Sequence, residues 1–138
     1  MVTAKDVMIR EVVSTRPSAK VEEVTRVLYH HGISGLPVTN DEKYVLGVVT
    51  EADILARKRG QNRVADIMSS PAYAVSEDTP LDEIAALLTE RKIKRVPVVR
   101  EGKLVGIVSR ADIVRALASR REGNTEGSDT GTEGVNNV

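Results

Sequence analysis

The hydrophobic positions of the chain repeat. Asp6-Val7-Met8 recurs as Asp66-Ile67-Met68, so a shift of 60 residues superposes the first half of the chain on the second. One residue then drops out, and a shift of 59 superposes Gly47-Val48-Val49-Thr50 on Gly106-Ile107-Val108-Ser109. Agreement in residue class over about 50 positions, with one small gap, indicates two copies of one structural unit.

Each copy predicts the element order β-α-β-β-α. Apolar residues recur at helical spacing in Val21, Val24, Val27 and Leu28 of the first copy and in Leu81, Ile84, Leu87 and Leu88 of the second. Gly32 is expected to end the first helix, and Thr79-Pro80 to start the second as cap and first helical residue. The other predicted elements are the strands Val12–Ser14, Leu36–Thr39, Tyr44–Thr50, Tyr73–Val75, Val96–Arg100 and Lys103–Ser109 and the helices Glu51–Arg59 and Arg110–Ser119.

These elements predict an α/β (α+β) fold in which two units pack face to face with pseudo-two-fold symmetry. The strand around Val45–Val49 is apolar nearly throughout, so both of its faces look buried, and the second copy is the obvious cover for one of them. We expect the first repeat at residues 1–59, the second at 60–120, and a linker at Arg57–Arg63. Residues 121–138, rich in Gly, Asn, Thr, Ser and acids, predict a disordered tail.

The composition argues against several classes of function. The chain has 20 Lys and Arg residues and 20 Asp and Glu residues, so no net charge draws it toward nucleic acid or an anionic membrane. It has no Cys, hence no disulfide framework and no thiol nucleophile. No apolar run approaches the ~20 residues of a membrane span, and Lys5, Asp6 and Arg10 interrupt any signal peptide. We therefore expect a cytoplasmic protein that does not act on membranes.

The junction between a buried strand and the next helix occurs twice and could carry chemistry. Thr50 is followed three residues later by Asp53, and Ser109 by Asp112. Free N–H groups at such a helix start attract anions, and an Asp there can accept hydrogen bonds from a ribose diol. The same pattern is a capping box, in which hydroxyl and carboxylate only satisfy helix N–H groups. Taken alone, the pattern favours capping.

Several motifs together resemble a known family. They are Asp-Val-Met before the first strand, Ile33-x-x-Leu-Pro-Val38, Ile93-x-x-Val-Pro-Val98 and the two Gly-Val-Val-Thr and Gly-Ile-Val-Ser junctions with their Asp. In order and spacing, the pair of units is similar to a tandem of cystathionine-β-synthase (CBS) domains, the Bateman module, over residues 3 to about 119. The resemblance implies two clefts between the repeats that bind adenine nucleotides (AMP, ADP or ATP) or related adenosyl ligands.

Carried over residue by residue, the resemblance implies two candidate sites. The first site would comprise Val48, Thr50, Asp53, Ala72, Tyr73, Lys94 and Arg95. The second would comprise Val12, Val13, Ser34, Gly35, Ile107, Ser109 and Asp112. Lys94 and Arg95 supply two cations for phosphates, whereas Ser34 and Gly35 supply none, so we favour the site with Asp53.

Other features do not change this interpretation. His30 and His31 diverge by about 100° on a helix and cannot both face one metal ion, so we expect no metal site. The basic linker Arg57–Arg63 could touch nucleic acid, but the chain has zero net charge and almost no aromatic residues for base stacking. No nucleophile or general base stands out, and no catalytic residue is predicted.

The leading hypothesis is a regulatory module that binds an adenosyl ligand and passes its state to another protein. The resemblance also implies a homodimer. The alternative is a constitutive protein-interaction module with vestigial nucleotide sites.

Overall fold

The computed structural model describes residues 1–70 and 72–125 of the chain. Its elements are, in order, α1 (Ala4–Val7), α2 (Val21–His31), β1 (Gly35–Thr39), β2 (Val45–Thr50), α3 (Glu51–Leu55), α4 (Val64–Ile67), β3 (Val75–Ser76), α5 (Leu81–Arg91), β4 (Arg95–Arg100), β5 (Lys103–Ser109) and α6 (Arg110–Thr125). Mixed helices and small sheets confirm the predicted α+β class. No helix in the described part of the chain is long and apolar enough to cross a bilayer.

Both predicted hairpins form. β1 pairs with β2 antiparallel, and β4 pairs with β5 in the same way, each with one irregularity in register at an equivalent position. The strand β3 adds to β4 in parallel, with Val75 opposite Val98. The two hairpins also meet near their turns, where Leu104 N donates to Lys43 O at 2.9 Å.

The first strand of the first repeat was predicted wrongly. Val12–Ser14 forms no strand, and the chain makes a single parallel bridge between Thr15 and Val38 instead. Thr15 donates to Pro37 O and accepts from Thr39 N, so the next N–H facing β1 would belong to Pro17. Proline has no N–H and stops the ladder there. The second copy has Glu77 at that position and forms β3, two residues later than the predicted start at Tyr73.

Helix boundaries differ from the predictions in three places. The helix α3 ends at Leu55 rather than Arg59, and α6 continues to Thr125 rather than ending at Ser119. Residues 121–125 are therefore helical and not part of a disordered tail, while residues 126–138 lie outside the described residues. Pro80 is the cap of α5 rather than its first residue, because Thr79 is turned back to accept a hydrogen bond from Ser76 N at 3.0 Å.

The hydrophobic core is split into two clusters, and each draws on both repeats. Ala4 and Met8 from the start of the chain pack with the second repeat, whereas Val64 from the linker side packs with the first. The cluster in the second repeat also contains Leu81, Ile84, Leu88, Val96, Val98, Val108 and Ile113. The cluster in the first repeat also contains Val24, Leu28, Leu36, Val38 and Val49. The short helices α1 and α4 are thus exchanged between the two units.

Backbone hydrogen bonds fix this exchange at both ends of each short helix. Ala4 N donates to Thr79 O at 2.9 Å, and Ile9 and Ile107 exchange two bonds of 2.9 and 3.0 Å. At the pseudo-symmetric place, Val48 and Ser69 exchange two bonds of 3.0 and 2.9 Å. Each exchanged segment therefore adds one residue to the outer edge of the hairpin in the other unit.

Two equivalent glycines, Gly47 and Gly106, lie against the exchanged segments and allow a matched test. A Cβ added at Gly47 would collide with the backbone carbonyl of Ser69, whereas a Cβ at Gly106 would collide with the side chain of Met8. A methionine side chain can change rotamer, but the paired backbone cannot move without losing its hydrogen bonds. We expect Gly47→Ala to lower the free energy of unfolding by about 2–3 kcal/mol and Gly106→Ala to lower it by clearly less.

Urea unfolding of both variants and the wild type measures this difference. Equal losses in the two variants would show that the crossing segments adapt equally well and that the Ser69 backbone is not fixed.

Candidate ligand-binding cleft between the repeats

A cleft of about 450 Å³ lies between the two repeats. A volume of this size is in the range that accommodates small-molecule ligands. Apolar strand residues from both hairpins form part of the lining, and residues of the neighbouring loops and helix–strand junctions, many of them polar or charged, form the rest. The residues that line it are Ser34, Gly35, Leu36, Pro37, Val48, Thr50, Glu51, Ala52, Ser69, Ala72, Tyr73, Lys92, Ile93, Lys94, Arg95, Pro97 and Ile107.

The cleft contains most of the favoured predicted site and part of the second. Six of the seven favoured residues line it, all except Asp53: Val48, Thr50, Ala72, Tyr73, Lys94 and Arg95. From the second site, Ser34, Gly35 and Ile107 line the same cleft, whereas Val12, Val13, Ser109 and Asp112 do not. The structure therefore brings residues of the two predicted sites into one continuous cleft.

Strand pairing explains why Ser34 and Gly35 join the residues around Thr50. Gly35 lies opposite Thr50 in the β1–β2 register, and Glu51 N donates to Ser34 O at 2.9 Å. A Cβ at Gly35 would come within 3.1 Å of Thr50 Cγ2, so the missing side chain leaves this corner of the cleft open. The loop before β1 is thus a neighbour of the junction in its own repeat.

Both strand–helix junctions form capping boxes. Asp53 Oδ2 accepts from Thr50 N at 2.9 Å and from Thr50 Oγ1 at 3.1 Å, and Asp53 N donates to Thr50 Oγ1 at 3.3 Å. Ser109 and Asp112 repeat this geometry at 2.8, 3.0 and 3.3 Å. The capping interpretation is therefore confirmed, and a ligand hydroxyl would have to use the other carboxylate oxygen.

The second carboxylate oxygen, Oδ1, distinguishes the two junctions. Asp112 is 5% exposed, and its Oδ1 accepts from Arg115 Nη1 at 3.0 Å. The position equivalent to Arg115 is Ala56, and within the described residues Asp53 Oδ1 makes no hydrogen bond. Asp53 is also only half-buried. Asp53 thus keeps an acceptor that Asp112 has already committed to Arg115.

Arg95 joins the two repeats across the cleft. Its Nη1 donates to the carbonyl of Gly35 at 2.9 Å, and its Nε is buried with no hydrogen-bond partner in the described part of the chain. Burial lowers the pKa of the Arg95 guanidinium, while the carboxylates of Glu51 and Asp112 act to raise it. The guanidinium remains charged at neutral pH. A buried donor without a partner is costly, so an anionic acceptor in the cleft would be stabilised here.

The other predicted residues of the second repeat are more open. Lys94 is exposed at the cleft edge. Tyr73 is 47% exposed, and the guanidinium carbon of Arg91 lies 5.0 Å from the centre of its ring. Arg91 covers one face of the Tyr73 ring, and the other face is in position to border a planar ligand.

Two charged residues of the cleft, Lys92 and Glu51, were not predicted from the sequence. Lys92 was identifiable, since the run from Arg91 to Arg95 holds four cations in five positions and only two of them were considered. Glu51 precedes Asp53 in the junction, where the capping pattern drew attention to Asp53 alone. No group of three or more His, Asp or Glu side chains suited to a metal ion occurs among the residues that the structure describes.

The sequence matches the CBS domain family over residues 4–60 and 64–119. The chain belongs to this family and contains two CBS domains in tandem, so the resemblance to a Bateman module is confirmed.

Individual relatives and solved structures agree with this assignment. CBSX2 of Arabidopsis thaliana in its complex with AMP superposes with a TM-score of 0.83 at 32% identity, covering 88% of this chain and 99% of that one. A CBS domain pair in complex with 5′-methylthioadenosine and S-adenosyl-L-methionine superposes with a TM-score of 0.78 at 27% identity, covering 87% and 98%.

The chain matches both large and small proteins. It is 37% identical over 111 residues to an inosine-5′-monophosphate dehydrogenase of Korarchaeum cryptofilum, covering 80% of this chain and 23% of that enzyme. The chain thus spans about a quarter of the length of such relatives. It is 27% identical to the CBS domain-containing protein YhcV of Bacillus subtilis, covering 82% of this chain and 84% of YhcV.

The two capping carboxylates should contribute unequally to stability. Asp53→Ala removes the carboxylate of the capping box that starts a five-residue helix and should cost about 1 kcal/mol of unfolding free energy. Asp112→Ala also leaves a buried junction without its acceptor and breaks the contact with Arg115, so a loss of about 2–3 kcal/mol is expected.

Chemical denaturation of the two variants measures these losses. A larger loss in Asp53→Ala than in Asp112→Ala would contradict the assignment of Asp112 as the more structural carboxylate.

Proposed function

We propose that this chain is a regulatory module that binds an adenine nucleotide or a related adenosyl ligand in the cleft between its CBS domains. Ligand binding then alters the contact between the repeats and signals to a partner protein. The proposal includes a cytoplasmic location, a homodimeric state and no catalytic activity of the chain itself.

The observation that carries this proposal is the difference in charge between the two sides of the cleft. On one side, Thr50 lines the cleft, and its capping partner Asp53 keeps one oxygen without a hydrogen bond in the described residues. On the other side, Lys94 and Arg95 of the second repeat supply positive charge. A nucleotide matches both sides of the cleft, because its sugar hydroxyls can donate to the carboxylate and its phosphate can accept from the guanidinium.

The apolar part of the lining suits a flat base. Val48 and Ile107 come from equivalent positions of the two hairpins, and Pro37 and Pro97 lie opposite them in the strand register. Such surfaces accept a planar ring by dispersion and exclusion of water. Tyr73 borders the same space and offers an aromatic edge or face to the ring.

The relatives support an adenosyl ligand. CBSX2 is a CBS pair solved with AMP, and another CBS pair is solved with 5′-methylthioadenosine and S-adenosyl-L-methionine. These ligands share the adenosyl group and differ in charge at the 5′ position. The cations of the second repeat favour the phosphorylated kind for this chain.

The alternative is a constitutive interaction module, and one observation favours it. Leu55 on α3 is 86% exposed, and Val114, its equivalent on α6, is 65% exposed. Large apolar side chains left open at equivalent positions of both repeats are suited to a protein partner or a second copy. On this alternative the cleft would bind no adenosyl compound.

Thermal unfolding with ligands separates the two functions. AMP, ADP, ATP, NAD, 5′-methylthioadenosine and S-adenosylmethionine are each added to the wild type. A ligand at 100 times its Kd stabilises the folded state by about 2.7 kcal/mol, which raises the Tm by several degrees. We expect such a rise with at least one adenosyl compound.

Two variants identify the site. Asp53→Asn keeps an acceptor for the cap but removes the carboxylate charge, so the ligand-induced rise in Tm should shrink strongly. Asp112→Asn is the matched control and should keep the rise, because Asp112 is already bound to Arg115. The comparison uses the difference between liganded and unliganded protein within each variant. No shift with any of the six ligands would sink the sensing function and favour the interaction module.

A further inference from the structure

One lysine in the cleft adopts a backbone conformation that lysine disfavours. Lys92 follows α5 with φ 56° and ψ 41°, the left-handed region. The equivalent residue after α2 is Gly32, with φ 64° and ψ 36°. Glycine is the usual residue at this helix end because it has no Cβ to clash. The second repeat thus keeps the same turn with a residue that is strained in it.

Packing does not explain the lysine. At Gly32, a Cβ would have no other atom within 4 Å, so the site is open in the first repeat. Lys92 itself is exposed and fills no space in the core. The turn needs only the backbone, whose N–H groups bond to the last carbonyls of the helix in both repeats. Packing therefore accounts for neither the lysine nor its strained backbone, and the location of the side chain has to be considered.

A structural alternative exists, since a cation at a helix C-terminus interacts favourably with the macrodipole. Arg91, in the last turn of α5, already provides one. A second cation adjacent to it gains little from the same carbonyls and meets repulsion from Arg91. On this alternative, replacing Lys92 would lower the Tm of the protein without changing the affinity for a ligand.

The position of Lys92 gives the side chain a role. It lines the cleft together with Lys94 and Arg95, and Glu51 is the one carboxylate among the lining residues of the described chain. Gly32, by contrast, does not line the cleft, and Ser34 and Gly35 carry no charge. Three cations between Lys92 and Arg95 of the second repeat therefore line a cleft to which the first repeat contributes one charged residue, Glu51.

We propose that Lys92 is a ligand-contacting residue that makes this cleft select phosphorylated adenosyl ligands over unphosphorylated ones. The proposal rests on the function proposed above and identifies its substrate class. Arg95 has one donor already committed to the carbonyl of Gly35, so Lys92 and Lys94 supply further donors and further positive charge for a phosphate. A 5′ phosphate is bound by these groups, and a neutral 5′ thioether gains nothing from them.

The test compares two ligands that share the adenosine part. The Kd values of AMP and of 5′-methylthioadenosine are measured by calorimetry for wild type and Lys92→Gly. Loss of one charge-assisted contact should weaken AMP about 10-fold and leave the Kd of 5′-methylthioadenosine within about two-fold. The Tm of the unliganded variant should stay the same or rise, because glycine removes the strain at this turn.

The chain offers a matched control in Lys43. Lys43 also has a positive φ, 74°, and its equivalent in the other repeat is Gly102, but it lies outside the cleft. Lys43→Gly makes the same chemical change with the same relief of strain and should leave both Kd values unchanged. Lys92→Arg keeps the charge and should retain most of the affinity for AMP.

The outcomes are distinguishable. If the wild type binds neither ligand, the proposed function fails, and the role of Lys92 fails with it. If the wild type binds AMP and Lys92→Gly binds it equally well, the adenosyl function stands and the role of Lys92 is overturned. Equal weakening of both ligands, or a fall in Tm without a change in the Kd of AMP, also overturns it, the latter in favour of the helix-end role.

Discussion

The exchange of the short helices α1 and α4 between the two units is the contact on which the rest of the structure depends. The chain has no Phe or Trp, so each core is built from small aliphatic side chains. A core of this kind holds little apolar area per unit, and a single copy would be marginal. Met8 and Val64 complete the core of the other unit, and the Ile9–Ile107 and Val48–Ser69 pairs hold them there. The same crossings place the segment after α4 beside β2, where the cleft begins.

This shared framework leaves the two junctions free to diverge. The capping geometry is nearly identical in Asp53 and Asp112, since both must start a helix at the end of a buried strand. Only Asp112 has Arg115 one helical turn later, where the first repeat has Ala56. A single substitution outside the motif therefore converts one carboxylate into a closed structural pair and leaves the other open. The shared motif alone therefore does not distinguish the two junctions, and the residue three positions after the Asp does.

The repeat, the helices α2 and α5 and both hairpins were predictable from the sequence, because each depends on local periodicity and turn chemistry. The exchange of α1 and α4 was not, since nothing in a four-residue turn such as Ala4–Val7 says which core it will cover. The first strand is missing because Pro17 has no N–H to continue the pairing, and the importance of this position appears only once the strand pairing is known. In the site, the residue types near each motif were predictable. That Ser34 and Gly35 lie next to Thr50 in one cleft could be seen only from the β1–β2 register.

Arg95 shows how binding and signalling can be joined in one side chain. Its Nη1 joins the two repeats through the carbonyl of Gly35, while its Nε is buried with no hydrogen-bond partner among the described residues. A phosphate in the cleft would offer this guanidinium a charged acceptor in place of a neutral one, and charge-assisted bonds are about twice as strong. The Gly35 carbonyl lies one residue from Ser34, whose own carbonyl holds the start of α3 through Glu51. Two hydrogen bonds therefore connect Arg95 to α3, the element that carries the exposed Leu55. On the proposed function, a ligand that draws Arg95 away from Gly35 would act on α3 through these bonds.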